Sequence, residues 1–326
     1  MIGKTVRNLP TGRLLGAAMM GAVLAACGGG GGSSPPPPGD IDVTATNQDT
    51  LTRASMVGLV GGQATDGLTM TGRSGANAIG SRVRALSESA SGRKHAAAQT
   101  APVVEACAVS GSTSTSFDDA NNSGQLDIGE TLTIVFNACR DNALVPQEEI
   151  NGILSGVLTA VRPTGLSITV AAQAYTTTWP GHSVRLDGGF NVALDDTSAT
   201  TGQIVIGVSN SLVAQAVTPL WADRITLQAG YQAVLAVDVS AGSTTTTASG
   251  TVKSDLAGGY VTTRTTQPLV QFLADPYPRS GRVEVLGKTG SLQATVLSTS
   301  QVQIDLDADG NGTYEASKTV SWDDIL

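Results

Sequence analysis

Two short segments of this chain carry oxygen-bearing groups at alternate positions, a pattern that suits a hard divalent cation. The candidate ligands of the first segment, residues 119–130, are Asp119, Asn121, Ser123, Gln125 through its backbone carbonyl, Asp127 and Glu130. Such a cation needs about six to eight oxygen ligands in one tight wrap of the chain. Gly124 permits the sharp bend, and Glu130 is placed to close the ligand shell.

This first segment resembles the 12-residue EF-hand calcium loop at each diagnostic position. The flanking residues differ from that family, because Thr113 to Phe117 and Leu132 to Phe136 alternate as strands do. The resemblance therefore implies a structural calcium turn between two strands, not a helix pair that opens on binding. The alternative is an acidic turn without metal.

The second segment, residues 305–315, resembles the D-x-D-x-D-G calcium loops of extracellular β-proteins. Its candidate ligands are Asp305, Asp307, Asp309, Asn311 and Glu315. A frame that starts at Asp307 places Lys318 at position 12, where a closing carboxylate belongs. A frame that starts at Asp305 places Asp309 before Gly310. The alternative without metal is a hairpin turn whose acids keep other strands from pairing with the sheet edge.

The N-terminus has the pattern of an export signal. Three basic residues precede an apolar run over residues 14–26, and Leu24-Ala25-Ala26-Cys27 follows. This string resembles a bacterial lipoprotein signal, which implies cleavage before Cys27, acylation of Cys27 and attachment to a membrane through lipid. The apolar run is shorter than the roughly 20 residues of a spanning helix. Gly28, in place of the aspartate that retains such proteins at the inner membrane, favours the outer membrane.

Composition limits the partners. Residues 1–26 hold three basic and no acidic residues, so the mature chain has a formal charge of 16 − 27 = −11. An acidic surface argues against nucleic acid as a partner. Whether a protein or a lipid is bound stays open.

The remaining cysteines, Cys107 and Cys139, form an even pair in an exported chain, which indicates a disulfide. The alternative is two buried free thiols. Redox catalysis is disfavoured because the chain has no C-x-x-C motif.

Composition shifts divide the chain into four parts. Residues 1–26 are the signal peptide, and residues 27–40 are the lipidated cysteine and a Gly/Pro tether. Residues 41–105 form a weakly helical, partly disordered arm, with one helix after Asn47 and another near 76–90; docking of its helices on the next domain is the alternative. Residues 106–326 form a β-domain.

The β-domain shows alternating segments, Gln203 to Val213 among them. Turn residues separate these segments, as at Pro163-Thr164-Gly165, Ala257-Gly258-Gly259 and Thr289-Gly290. The predicted fold is mainly β: an antiparallel meander that closes as a barrel, an open barrel or a sandwich, preceded by a short helical or disordered arm.

Candidate catalytic residues do not form a recognised set. A Ser-His-Asp site would need His182, with Ser183 or Ser209 as nucleophile and Asp187 or Asp195 as the orienting acid, but no G-x-S-x-G elbow exposes a serine. Gly124 to Cys139 and Asp307 to Trp322 resemble segments of uncharacterised β-rich lipoproteins of proteobacteria, a likeness that implies architecture and location only. We expect a lipid-anchored cell-envelope β-protein with structural calcium sites and a structural or binding role. The alternatives are a periplasmic carrier of an apolar ligand or lipid, and a carboxylate-dependent hydrolase.

Overall fold

The fold is known from a computed structural model that describes residues 39–64, 102–121, 123, 127–140, 148–196, 201–238, 240–272, 275 and 277–325. In this part of the chain sixteen strands lie between two helices, α1 (Gln48–Ala64) and α2 (Trp322–Ile325). The strands of the first half are β1 (Val103–Ala106), β2 (Ser110–Asp118), β3 (Thr131–Arg140), β4 (Glu149–Arg162), β5 (Gly165–Trp179), β6 (His182–Asp196), β7 (Thr201–Gly207) and β8 (Ser211–Val217). Those of the second half are β9 (Ala222–Gln228), β10 (Gln232–Asp238), β11 (Ser243–Ser254), β12 (Gly259–Phe272), β13 (Ser280–Leu286), β14 (Ser291–Val296), β15 (Gln301–Asp307) and β16 (Ala316–Ser321).

The strands form one antiparallel meander, as the sequence predicted. Both β7 and β8 pair with β6, one with each half of it, and β10 and β9 pair in the same way with β11. β7 also pairs with β10, and β8 with β9. β7 and β8 are thus one interrupted strand, and β9 and β10 are another. When each interrupted pair is counted as one strand, every strand lies beside the next strand along the chain.

A row of interruptions crosses this sheet. The pairing register shifts within β2–β3, β3–β4, β4–β5 and β5–β6, and again within β11–β12 and β12–β13. The breaks between β7 and β8 and between β9 and β10 continue the row, since Val208 N donates to Tyr231 O across them. Bulges bend a strand and increase its twist. The sheet therefore bends along this line, which we call the crease.

Two parts of the crease have the same construction. Ala138 and Ala174 adopt the left-handed region, with φ of 45° and 48°. The N–H of each donates to a side chain on the neighbouring strand, Asn151 for Ala138 and Asp187 for Ala174, both at 2.8 Å. A glycine follows each acceptor, and a Cβ at Gly152 would collide with the Ala174 carbonyl. Cross-strand acceptors thus hold alanine in a conformation that it rarely adopts.

Asp187→Ala is expected to lower the free energy of unfolding by about 1 kcal/mol, since the Ala174 N–H loses its acceptor. A hydrogen bond from Arg185 lowers the pKa of Asp187, and the hydrogen bond from the Ala174 N–H also lowers it. A lowered pKa means that this stabilisation is present above the ordinary aspartate pKa and is lost as pH falls through the depressed value. Urea unfolding at several pH values measures it. Asp195→Ala on the same strand is the control, because Asp195 accepts from the Thr164 hydroxyl, and an equal loss in both variants would contradict the role of Asp187.

Residues 39–43, the strap, lie across strand ends and lead into α1. Asp40 N donates to Tyr260 O at 3.1 Å, Lys288 N to Ile41 O at 2.8 Å and Val43 N to Thr289 O at 3.0 Å. Thr44 N donates to the Asn47 side chain, so Asn47 reaches back in the first turn instead of capping the helix itself. The strap therefore fixes where α1 enters the sheet.

The first turns of α1 are buried on almost every side. Leu51, Ala54 and Met56 have no exposed surface, and Thr52 and Ser55 on other faces are also buried. The helix packs against β9, β11, β13, β14 and α2. A helix buried all round needs cover from several directions, so the sheet curls about it and shares one core with it.

Several details differ from the sequence prediction. The segment predicted as one strand, Gln203 to Val213, is interrupted at the crease. Among the described residues β1 pairs only with β2 and β16 only with β15, so the end strands do not close a barrel. β1, β9 and β16 were not predicted. The second predicted helix, near 76–90, lies outside the described residues.

The described helices include none that is both long and apolar enough to cross a membrane. The predicted Cys107–Cys139 disulfide is confirmed, with the two Cα atoms 5.5 Å apart. It joins the residue that directly follows β1 to the penultimate residue of β3.

Candidate metal centre in two acidic loops

The carboxylates of Asp307, Asp309 and Glu315 converge in the second acidic loop, between β15 and β16. One oxygen from each lies within 4.8 Å of the others, and the described residues contain no other such group of three. Asp307 ends β15 and is buried, whereas Asp309 and Glu315 are exposed. This acidic cluster could hold a metal ion.

Backbone N–H groups orient Asp307 from inside the loop. Its Oδ1 accepts from Gly310 N at 2.8 Å and Asn311 N at 3.1 Å, and its Oδ2 accepts from Gly312 N at 2.9 Å. Glu315 Oε2 accepts from Ala308 N at 2.8 Å. The loop is therefore wrapped around its own carboxylates.

The two frames of this loop differ in which acids the structure brings together. Asp305 stays within β15, where its carboxylate accepts from Gln303 Nε2 at 2.8 and 3.1 Å, and it does not join the cluster. Asn311 donates to Asp309 Oδ2 at 2.9 Å. Lys318, at the closing position, lies in β16 and forms an ion pair with Asp49 of α1. The frame that starts at Asp307 is the one that assembles a cluster, and it lacks a closing carboxylate.

The first acidic loop lies between β2 and β3, as its flanking pattern predicted. Asp119 follows the last residue of β2, and Glu130 precedes the first residue of β3. Ser123 N donates to Asp119 Oδ1 at 3.0 Å, and Ser123 Oγ donates to Asp127 Oδ2 at 2.6 Å. Asn121 Nδ2 also donates to Asp127, at 2.8 Å. Gln125 lies outside the described residues.

Glu130 is the most constrained acid of this loop, with 2% of its surface exposed. Its Oε2 accepts from Asp127 N at 2.7 Å, while its Oε1 is buried without a hydrogen-bond donor among the described residues. Burial raises the pKa of Glu130, and the nearby charges of Asp119 and Asp127 raise it further. By contrast, hydrogen bonds from Asn121 and Ser123 lower the pKa of Asp127. The loop thus buries one carboxylate where negative charge is unfavourable.

The two loops share a hydrogen-bond pattern at the same offsets. In the first loop the N–H at position 5, Ser123, donates to the side chains at positions 1 and 3. In the second loop the corresponding Asn311 N donates to Asp307 Oδ1 and to Asp309 Oδ1. Each loop also begins at a strand end. They are therefore two versions of one local structure, although the three acids of the first loop do not converge as tightly as those of the second.

The candidate catalytic residues do not lie together. His182 Nδ1 lies 2.8 Å from the Pro180 carbonyl of its own turn, and Asp187 is paired with Arg185. These contacts do not assemble a Ser-His-Asp arrangement from the described residues. Cys27 lies outside them.

Sequence reasoning did not foresee that the second loop and the strap pack against the same turn. Gly290, in the β13–β14 turn, lies against the carbonyls of Asp307 and Ala308 and against that of Val43. The predicted turn Thr289-Gly290 was the available signal, but nothing in it indicated what would pack there.

Comparison with known proteins gave no relative: no family profile, curated protein or solved structure matches this chain. Its function is therefore argued from its own residues.

Proposed function

We propose that this protein is a lipid-anchored component of the bacterial cell envelope whose β-domain is stabilised by calcium in its two acidic loops, with a structural or binding role. The observation that carries the calcium proposal is the convergence of Asp307, Asp309 and Glu315 at the end of a strand. The buried Oε1 of Glu130, which has no hydrogen-bond donor among the described residues, supports a second site in the first loop.

The donor chemistry favours calcium over transition metals. The candidate ligands are carboxylate, amide and hydroxyl oxygens, without a histidine or cysteine among them. Such oxygen sets suit hard cations, and the mixture of acid and amide ligands tolerates the irregular geometry of calcium better than the octahedron of magnesium. A cation would also offset the repulsion between Glu130, Asp119 and Asp127.

The melting temperature is therefore expected to rise with calcium and to fall with chelator. At free calcium of about 100 Kd, one site that binds only the native state adds roughly 2.7 kcal/mol. Glu130→Gln and Asp307→Asn should each remove the contribution of one loop. Asp255→Asn removes one charge outside both loops and is the control. A wild-type melting temperature that is equal in millimolar calcium and in excess chelator would refute both sites.

The proposed anchor depends on Cys27 and the residues before it. Cys27→Ser is expected to move the protein from the membrane fraction to the soluble exported fraction, because acyl chains hold a protein at a bilayer and serine cannot receive the thioether-linked lipid. Fractionation with mass measurement of the N-terminus tests this. Membrane retention of an uncleaved Cys27→Ser chain would identify an ordinary anchor instead.

We favour a structural or binding role over the carrier alternative, because α1 fills the space that an apolar ligand would need. Leu51 and Met56 of α1 are fully buried in the core that the helix shares with the sheet. We expect purified protein to carry no stoichiometric lipid other than that on Cys27.

A further inference from the structure

Three neighbouring turns form a rim beside the strap. They are the turns at 218–221, 255–258 and 287–290, which follow β8, β11 and β13. Asp223 joins the first two, since its carboxylate accepts from Ser254 Oγ at 2.5 Å and from Leu256 N at 2.9 Å. Ile41 of the strap lies against Gly259 and accepts from Lys288 N. The strap therefore enters the domain at this rim.

Two leucines stand exposed on the rim. Leu220, in the first turn, is 64% exposed, and Leu256, in the second, is 57% exposed. The turns are held rigidly, because Leu220 N donates to Thr218 Oγ1 and Ala257 N donates to Ser254 Oγ. Large apolar side chains at the tips of well-ordered turns suit insertion into the headgroup region of a bilayer.

We propose that this rim faces the membrane and that Leu220 and Leu256 enter the lipid headgroup layer. The inference rests on the proposed acylation of Cys27. Gly39 opens the strap twelve positions after Cys27. A chain of that length reaches at most about 40 Å when fully extended. A compact body of about 230 residues is about 45 Å across, so the tether keeps the rim closer to the bilayer than the opposite side.

The charges of the rim set the kind of lipid. The acids on the strap and beside the turns are Asp40, Asp42, Asp223 and Asp255, and the basic neighbours are Arg224, Lys253 and Lys288. Anionic headgroups would be repelled by this balance. Docking is therefore apolar in origin, and zwitterionic headgroups suit it, with phosphatidylcholine as the probe.

The test is the depth of nitroxide spin labels in the lipidated full-length protein, purified from membranes and reconstituted into phosphatidylcholine vesicles. Labels are placed by Leu256→Cys and Leu220→Cys. The matched control is Leu297→Cys, which is 48% exposed at the far end of β14, about 20 Å along that strand from the rim. The native Cys107 and Cys139 are joined and do not take the label.

The ratio of oxygen to water-soluble nickel accessibility is expected to be several-fold higher at 256 and 220 than at 297. Equal ratios at the three positions, in protein whose mass confirms acylation, would overturn the proposed orientation and leave the anchor standing. Such a result is also what a protein partner on the rim would give. Protein that lacks the acyl mass and stays free of vesicles would overturn the anchor and, with it, this inference.

Discussion

Replacing Cys107 and Cys139 together by alanine is expected to lower the free energy of unfolding by about 3–4 kcal/mol, the chain-entropy value for a loop of this length. The bridge joins residues 32 positions apart and encloses β2, the first acidic loop and β3. Without it the unfolded chain gains freedom, while the edge of the meander loses its covalent link. Urea unfolding of the double variant beside wild type measures the change.

The reduced wild-type protein is the control, because it removes the bond without removing the sulfur atoms. Both samples should unfold at similar, lower urea concentrations. Cys139 is 1% exposed, so any further loss in the alanine variant reports packing and not the bond. An unchanged unfolding midpoint after verified reduction would show that the disulfide does not stabilise the native fold.

Leu51→Ala is expected to cost about 2–5 kcal/mol, the range for a large-to-small change in a packed core. Leu51 has no exposed surface, and α1 packs against four strands and α2. The side chain lies where the sheet curls round the helix, and neighbouring strands held by ladder hydrogen bonds cannot easily collapse into the cavity.

Leu256→Ala is the matched control, since it makes the same chemical change at a site that is 57% exposed. Its cost should be within about 0.5 kcal/mol of zero. Comparable losses in the two variants would contradict the burial of α1, and a small loss at Leu51 would show that the helix leaves the sheet without consequence for stability.

The meander was predictable because the patterns that specify it, alternation within strands and turn residues between them, are local in sequence. Leu292 and Ala294 alternate with half-buried polar residues in β14, and Val283 and Val285 do the same in β13. Turn residues separate these strands, so type and order follow from the chain itself.

The crease was not predictable in the same way. Ala138 and Ala174 carry no sign of a left-handed backbone, and the acceptors that hold them there lie on neighbouring strands. Glycines of the β-domain, such as Gly152 and Gly188, were the available hint of bulges.

Part of the candidate site was also predictable from the sequence, and part was not. Alternate spacing identified Asp307, Asp309 and Glu315, and the structure brings them together. Lys318, at the closing position, forms an ion pair with Asp49, which is far away in sequence. The sequence of the loop alone therefore could not predict what Lys318 contacts. The first loop matched the calcium pattern more completely, yet the tight cluster lies in the second.

Direct calcium binding tests the central claim. Equilibrium titration of the mature chain, stripped of metal, is expected to show saturable uptake with Kd on the order of 10⁻⁴ to 10⁻³ M, the range of extracellular modules. The Glu130→Gln/Asp307→Asn double variant should lose this uptake, whereas Asp255→Asn should keep it. A folded wild-type chain without saturable calcium uptake at concentrations up to about ten times that Kd range would contradict the account.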